Sequence, residues 1–150
     1  MRNAYAIGTL VALAVLATLV AGCEGQPDSP DVTVNAMLDS LERLDPVSMN
    51  ALLTQELQIS DEQVVAIQQY YETLRQGWTQ WSIRYSDRNL NVTSQTADHA
   101  QVNVSVSVQI SITSQGQTRT QDYGIDTVVS LRRVNQTWLV EDAGGLSFVV

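Results

Sequence analysis

Residues 100–112 read Ala-Gln-Val-Asn-Val-Ser-Val-Ser-Val-Gln-Ile-Ser-Ile, so apolar and polar side chains alternate without an exception. Successive side chains of a β-strand point to opposite faces of its sheet, and a period of two therefore predicts a strand with one buried face. The even-numbered positions of this stretch are expected to face a core, and the odd-numbered positions are expected to face solvent.

Turn signals on the C-terminal side of this stretch predict an antiparallel meander. Residues 114–117 contain Gly116 and predict a hairpin turn. Residues 134–136 predict a second turn, followed by a strand over Thr137–Glu141. The return strand between the two turns has four alternating apolar positions, Tyr123, Ile125, Val129 and Leu131. The apolar tail 146–150, released by Gly144 and Gly145, is expected either to add a strand or to fold onto the core.

Before residue 100, the spacing of the apolar residues changes near Gly77. It has a period of 3.6, typical of a helix, before this residue and a period of two, typical of a strand, after it. A strand with Trp81, Ile83 and Tyr85 on one face precedes an expected break at residues 87–89, after which Leu90 and Val92 continue. Gly77 is also the predicted C-cap of a helix that opens with the capping box Ser60-Asp-Glu-Gln63. One face of that helix carries Val64, Ile67, Tyr71 and Leu74.

Two earlier helices are predicted from apolar spacing and caps. Asp31 is the expected N-cap of a helix over residues 32–44. Pro46 is expected to open a short helix that runs to Leu53. The apolar stripe of the first helix comprises Val34, Met37, Leu38, Leu41 and Leu44, and the buried side of the second comprises Ala51, Leu52 and Leu53.

Helices followed by a meander define an α+β fold, in which N-terminal helices pack on one face of a curved, cone-like antiparallel sheet of about four strands. This order, together with the final Trp138-Leu-Val-Glu-Asp142 strand, resembles the nuclear transport factor two-like, or cystatin-like, α+β cone over residues 31–142. The resemblance implies a pocket between helices and sheet, lined in the enzymes of that superfamily by Asp, His or Tyr. No motif carries over residue by residue.

The N-terminal Val20-Ala-Gly-Cys23, at the end of an apolar run after Arg2, resembles a bacterial lipoprotein signal. The resemblance implies cleavage before Cys23, the single cysteine, and its acylation. The expected organisation is a signal peptide over 1–22, a lipidated cysteine and polar tether over 23–31, and one α+β domain over 32–150. A spanning helix over 4–22 and plain secretion remain the alternatives.

The expected location is the bacterial cell envelope, at the periplasmic face of the outer membrane if two membranes are present, because Glu24 replaces the Asp that is typical of inner-membrane retention. All 16 acidic residues and seven of the eight arginines follow Cys23, and lysine is absent. The resulting net charge near −9 repels phosphate backbones and argues against a nucleic-acid partner.

The candidate catalytic and metal-binding residues are few. His99, the single histidine, extends the polar side of the 100–112 strand and is expected to be solvated. Neither Asp122/Asp126 nor Glu141/Asp142 lies in a ligand-dense calcium loop, and one histidine with a lipidated cysteine does not suit zinc. The sequence therefore predicts no catalytic site, no metal and no cofactor.

Five aromatic residues span the end of the third helix and the following strand: Tyr70, Tyr71, Trp78, Trp81 and Tyr85. They either fill the wide end of the cone or form a pocket or contact patch. Tyr70 and Trp78 lie beside the apolar stripe and are the members expected to be exposed.

The odd-numbered residues of the long strand carry no charge, although exposed sheets usually carry charges that discourage pairing. This row comprises Gln101, Asn103, Ser105, Ser107, Gln109, Ser111 and Thr113. It is either a solvated face or an interaction face for a protein partner or a second copy, and the lack of an aromatic residue disfavours a sugar site. The sequence thus favours a non-catalytic, membrane-tethered interaction or scaffold module, with a small-molecule binder or enzyme as the alternative.

Overall fold

The computed structural model describes residues 29–76 and 79–146. Within them, three helices precede four strands. The helices are α1 (Pro30–Arg43), α2 (Pro46–Ala51) and α3 (Asp61–Gln76), and the strands are β1 (Thr79–Gln95), β2 (His99–Ser114), β3 (Gln117–Val134) and β4 (Thr137–Asp142). The strands form one antiparallel sheet in the order β1-β2-β3-β4. This arrangement confirms the predicted α+β class.

The core lies between α1 and one face of the sheet, which we call the inner face. Val102, Val104, Val106 and Val108 of β2 are buried on this face, as the alternation predicts. Helix α1 contacts β1, β2 and β4, so the sheet curls around it. The cluster also buries Val34, Met37, Leu38, Leu41, Val129, Leu131, Trp138 and Val140.

The first two helices differ from the predictions at their ends. Helix α1 begins at Pro30 with Ser29 at the N-cap position, so Asp31 lies in the first turn and is not the N-cap. Pro30 suits the first helical position because its ring fixes φ and the position needs no N–H donor. Helix α2 ends at Ala51 and not at the predicted Leu53, and Ala51 is exposed rather than buried. Met49 of α2 is buried instead, as is Leu53 beyond the end of the helix.

The capping box of α3 is confirmed. The backbone N–H of Gln63 donates to Ser60 Oγ at 3.3 Å, and the Ser60 N–H donates to Gln63 Oε1 at 3.0 Å. Val64 and Tyr71 are buried, whereas Ile67 and Leu74 are half-buried. The predicted C-cap, Gly77, lies outside the described residues.

The expected break at residues 87–89 is a β-bulge within one continuous strand. The pairing of β1 with β2 shifts between Ser86 and Asn89, and Asp87 has a φ of 49°. The inserted residue reverses the orientation of the side chains that follow. Ile83 and Tyr85 face inward before the bulge, and Leu90 and Val92 face inward after it. The alternation thus predicted an interruption at residues 87–89 but not its form, because two apolar runs of opposite parity look like two separate strands.

Both predicted hairpin turns are present, and each contains two residues in the left-handed backbone conformation. Gln115 and Gly116 have φ values of 52° and 76°, and Asn135 and Gln136 have 49° and 69°. Positive φ at both positions matches the right-handed twist of a hairpin. After β4, Leu146 folds onto the core with 3% exposure, as one of the two predicted alternatives requires. The rest of the apolar tail, 147–150, lies outside the described residues.

Candidate functional site

The predicted polar row lies on the outer face of the sheet, opposite the helices. Gln101, Asn103, Ser105, Ser107 and Gln109 are exposed, and Ser111 and Thr113 are half-buried. Each of these residues pairs with a β1 and a β3 residue that belong to the same face, and the partner of Ser107 on β3 is Gly124, which has no side chain. The row is therefore the middle of a three-strand surface, and its role in binding stays a prediction.

Two rows of this outer face form a shallow depression of about 410 Å³. Asn91, Asn103 and Val128 lie side by side in one row. Asn89, Ser105 and Asp126 form the adjacent row. Within the described part of the chain, the Asn89, Ser105 and Asp126 side chains make no hydrogen bond, so their polar groups remain available. Asn89 and Asn91 reach this face because of the bulge, which the sequence alternation did not anticipate.

A second depression, of about 320 Å³, lies at the end of the same face near His99. Its lining residues include Thr96, His99, Gln101 and Glu141. The His99 side chain is 57% exposed, and its Nδ1 and Nε2 lie 3.4 Å and 4.0 Å from carboxylate oxygens of Asp98 and Glu141. This exposure agrees with the predicted solvated histidine, because a catalytic base is usually shielded from solvent.

The carboxylate of Glu56 is held near this end of the sheet by Arg132. The Arg132 guanidinium donates to both Glu56 oxygens, at 2.8 Å and 2.7 Å. This bond lowers the pKa of the Glu56 carboxyl to about 2. Arg132 also lies 3.8 Å from Glu141, so the acidic groups around His99 are partly neutralised. The cluster is a surface ion-pair network, for which a structural role suffices.

One row of the outer face carries charges of both signs. Arg84 of β1, Gln109 of β2 and Asp122 of β3 are consecutive partners across the sheet. Gln109 Nε2 donates to Asp122 Oδ1 at 2.9 Å. Arg84 makes no hydrogen bond or ion pair within residues 29–76 and 79–146. Arg84 was not predicted as a functional residue, because its position opposite Gln109 depends on the pairing of β1 with β2.

The four aromatic residues of this group that the structure describes do not form one exposed patch. Tyr71 and Tyr85 are buried, Trp81 is half-buried, and Tyr70 is 46% exposed, as expected from its place beside the stripe. The Tyr70 and Tyr71 ring centroids are 5.6 Å apart. Trp78 lies outside the described residues.

Tyr85 is buried on the inner face of the sheet, next to strands β2 and β3. Burial, followed by the neighbouring Tyr123 and Tyr71, raises the pKa of Tyr85 to about 12. Tyr85, Val108 and Tyr123 form one inner row. Tyr123 was expected on this face, but its side chain is 41% exposed because the helices contact mainly β1 at this end.

The remaining sequence predictions concern metals and the membrane. Over residues 29–76 and 79–146, no group of three or more His, Cys, Asp or Glu side chains is placed to hold a metal ion. In the same residues, the helices are too short or too polar to cross a bilayer. Cys23 and the signal segment lie outside the described residues, so lipidation stays a prediction.

Comparison with known proteins gives similarity at the level of architecture. Neither a protein-family model nor a curated protein sequence matches the chain. The chain is similar to the intermembrane-space region of the chloroplast protein ARC6, with 8% identity, 73% of this chain and 87% of that chain covered, and a TM-score of 0.47.

Two bacterial structures are similar to a comparable extent. A candidate polyketide cyclase from a Silicibacter species has 14% identity, covers 78% of this chain and 89% of its own, and has a TM-score of 0.45. An NTF-2 like protein of unknown function from Shewanella oneidensis has 13% identity, covers 73% and 91%, and has a TM-score of 0.36. Similarities of this size carry no information about activity.

Proposed function

We propose that this chain is a lipid-anchored, NTF2-like domain of the bacterial cell envelope that binds a protein partner through the outer face of its sheet and has no catalytic activity. The observation that carries the proposal is the continuous, uncharged polar row from Gln101 to Ser111 in the middle of an exposed three-strand surface. Exposed sheets usually carry charged residues that discourage unwanted pairing. The central strand of this face carries none in this row.

The packing on the other face supports a binding role over catalysis. Trp138, Met37 and Leu38 fill the space between α1 and the sheet, with exposures of 2% or less. An enzyme of the resembled superfamily would need a polar pocket in this region. The titratable groups of the outer face, His99 and Asp126 among them, are exposed and therefore poorly suited to acid–base catalysis.

The anchor is tested by the Cys23→Ser variant. Acyl chains contribute about 0.8 kcal/mol per buried CH₂, and two or more chains give lasting attachment. We expect the wild-type protein to partition into the detergent phase and the variant into the aqueous phase. Mass spectrometry of native material that showed an uncleaved leader or an unmodified thiol would contradict the anchor. The proposed location, the periplasmic face of the outer membrane in a two-membrane cell, rests on Glu24 and would be tested by membrane fractionation.

The binding face is tested by site-specific photo-cross-linking in intact cells. A photoreactive phenylalanine analogue at Ser107, on the outer face, should give a cross-linked species of higher mass. The matched control is the same analogue at Glu72, which is exposed on α3 at the opposite side of the sheet. Cross-linking at Glu72 but not at Ser107 would overturn the proposed face.

A second candidate function, small-molecule binding, rests on the inner face beyond the helices. Ile110 and Ile125 are half-buried there, next to the 41% exposed Tyr123. Apolar pockets with a few polar groups are typical ligand sites. If this end binds apolar molecules, 8-anilinonaphthalene-1-sulfonate should fluoresce with the full chain and lose its signal in Tyr123→Glu. Val128→Glu, at an exposed outer position, is the control, and equal loss in both variants would exclude a specific site.

A further inference from the structure

We infer that residues 147–150, Ser-Phe-Val-Val, extend along the inner face of the sheet and place the Phe148 ring over Tyr123 and Ile125. We call these four residues the tail segment, and we call the surface formed by Ile110, Tyr123 and Ile125 the inner patch. The inference is independent of the binding role proposed for the outer face. It means that a small molecule bound at the inner patch would have to displace side chains of the chain itself.

The inner patch is a part of the inner face that the described helices leave open. Helix α1 contacts β1, β2 and β4. Val106 and Val108 of β2 are buried, but their partners on β3 are more accessible. Ile125 is half-buried, and Tyr123 is 41% exposed. Because β4 pairs with β3 only over residues 130–134, the edge of β3 beside the patch carries no strand within the described chain. An apolar surface at a free sheet edge favours a covering segment.

The described chain reaches the border of the inner patch just before the tail segment. Thr127 is the inner-face position of β3 next to Ile125, and its Oγ1 donates to the Gly144 carbonyl at 2.5 Å. Gly144 approaches β3 so closely that a Cβ on it would collide with the Val128 carbonyl oxygen. The turn that follows brings the Leu146 side chain into the core with 3% exposure. Residue 147 therefore begins on the inner side of the sheet, beside the patch.

Distances along β3 bring the inner patch within reach of the tail segment. Ile125 and Tyr123 lie two and four residues from Thr127, or about 7 Å and about 13 Å at about 3.3 Å per residue. Four extended residues span about 13 Å. In the opposite direction the inner face is closed, because Val129 and Leu131 are fully buried and β4 lies beside this part of β3. The inner patch is therefore the apolar surface next to the tail segment that remains to be covered.

The composition of the tail segment suits a covering role. Residues 148–150 are apolar, Phe148 is the only phenylalanine of the sequence, and none of the four residues carries a charge. In water these residues would add a second exposed apolar surface beside the inner patch, whereas packing the two together removes both from water. Aromatic rings favour offset or edge-to-face contacts, which Phe148 and Tyr123 can form.

The position of the tail segment is tested by photo-cross-linking of the full chain. Benzoyl-phenylalanine replaces Phe148, and tryptic peptides of the species with monomer mass are sequenced by mass spectrometry after irradiation. Cleavage after the arginines at 119, 132 and 133 places the β3 part of the inner patch in peptide 120–132 and the tail segment in a separate peptide. We expect the two peptides to be joined through Tyr123 or Ile125. The matched control is the same analogue at Val65, an exposed position of α3, which should give no link to either residue.

The cover over Tyr123 is tested by nitration with tetranitromethane, which modifies accessible phenol rings. Tyr123 and Tyr70 are 41% and 46% exposed, so Tyr70 is an internal reference. In the full chain Tyr123 should react more slowly than Tyr70, and in a chain that stops after Leu146 this protection should be lost. Phe148→Asp should also remove it, because burial of an unpaired carboxylate is unfavourable. Ser147→Asp, the matched control, should keep Tyr123 protected, since neighbouring side chains of an extended segment point to opposite sides.

Three results would overturn the inference: no cross-link from residue 148 to the inner patch, equal nitration of Tyr123 and Tyr70 in the full chain, or equal effects of the two Asp variants. Circular dichroism spectra of all variants would establish that they are folded. None of these measurements involves Cys23 or the outer face. They therefore decide the position of the tail segment whether or not the proposed function holds.

Discussion

Arg88 joins the sheet to helix α1 at the bulge of β1. Its guanidinium donates to Asn35 and Asp39 of α1 at 2.8 Å and 2.5 Å, and to Glu42 at 2.9 Å. Its Nε donates to the Tyr85 carbonyl at 3.0 Å. Glu42 also accepts the backbone N–H of Tyr85. The side chain is only 20% exposed, so these bonds are stronger than those of a fully solvated ion pair.

Replacing Arg88 by Ala should lower the free energy of unfolding by about 2 kcal/mol, because hydrogen bonds to charged groups contribute about 1.5–3 kcal/mol and their loss leaves Asp39 without its cation and Glu42 with only the Tyr85 N–H. Urea denaturation of the full chain would measure the change. Arg119→Ala, an exposed position without a hydrogen bond in the described residues, should change the value by less than about 0.5 kcal/mol. Equal effects of the two substitutions would contradict the proposed role of Arg88.

Tyr85 should make stability depend on pH at the alkaline end. Its pKa is raised from 10.0 to about 12, chiefly by burial, so between these values the unfolded chain releases the phenolic proton first. The contribution of the buried, protonated Tyr85 to the free energy of unfolding is therefore fully present below pH 10 and is lost as the pH rises toward 12. The free energy of unfolding of wild type should fall more steeply over this range than that of Tyr85→Phe. Parallel curves for the two proteins would contradict the expectation.

At the scale of elements, the alternation of residues 100–112 was sufficient to predict β2, its buried face and its polar face. The Ser60–Gln63 box located the start of α3, and Gly116 located a hairpin. The sequence could not predict the start of α1 at Pro30, because Ser29 and Asp31 are both good N-cap residues. It also missed the bulge at Asp87, since the orientation of Arg88 depends on partners 46 or more residues earlier in the chain.

The same limit applies to the candidate site. The β2 row could be read from one strand, but the row that joins Arg84 to Asp122 depends on the register of three strands. Register is set by hairpin geometry and by the buried face together, and alternation within a single strand does not determine it. The pairing of Arg84, Gln109 and Asp122 across three strands is therefore known only from the structure.

The second hairpin turn offers a test of backbone strain. Gln136 has a φ of 69°, a left-handed conformation that costs a residue with a Cβ about 1 kcal/mol, whereas glycine adopts it freely. Gln136→Gly creates an Asn-Gly turn, which is favoured in two-residue hairpins. We expect the free energy of unfolding to rise by about 0.5–1 kcal/mol in thermal or urea unfolding. Gln136→Ala should give no such gain, and an equal rise in both variants would contradict the explanation.

In the molecule as a whole, two segments outside the strands complete the packing around α1, one after α2 and one after β4. Residues 52–54 attach to the free edge of β4, where the Val140 N–H donates to the Leu52 carbonyl at 2.8 Å. Beyond β4, Leu146 enters the core and Thr127 Oγ1 donates to the Gly144 carbonyl at 2.5 Å. The domain thus extends to at least residue 146, although its last strand ends at Asp142.

Leu146→Ala should consequently destabilise the whole domain. Truncation of a buried Leu costs about 2–5 kcal/mol, because apolar contacts are lost and a cavity remains. Val47→Ala, at a 52% exposed position of α2, should cost less than about 1 kcal/mol. Thermal unfolding would compare the two variants. A small effect at Leu146 would mean that the core closes without the residues after β4.

The bulge at Asp87 accommodates one extra residue in β1, so that apolar side chains face the core on both sides of it. Removing one of the two bulge residues would leave a regular ladder, because Ser86 and Asn89 would then be separated by one residue, as Ser107 and Ser105 are, and Asn89 and Leu90 would keep their present faces. Adding residues at the tip of the β2–β3 hairpin would only lengthen a loop. Among distant relatives of this chain, differences in length should therefore occur at positions 115 and 116, and the loss of a single residue at the bulge should leave both faces of the sheet unchanged.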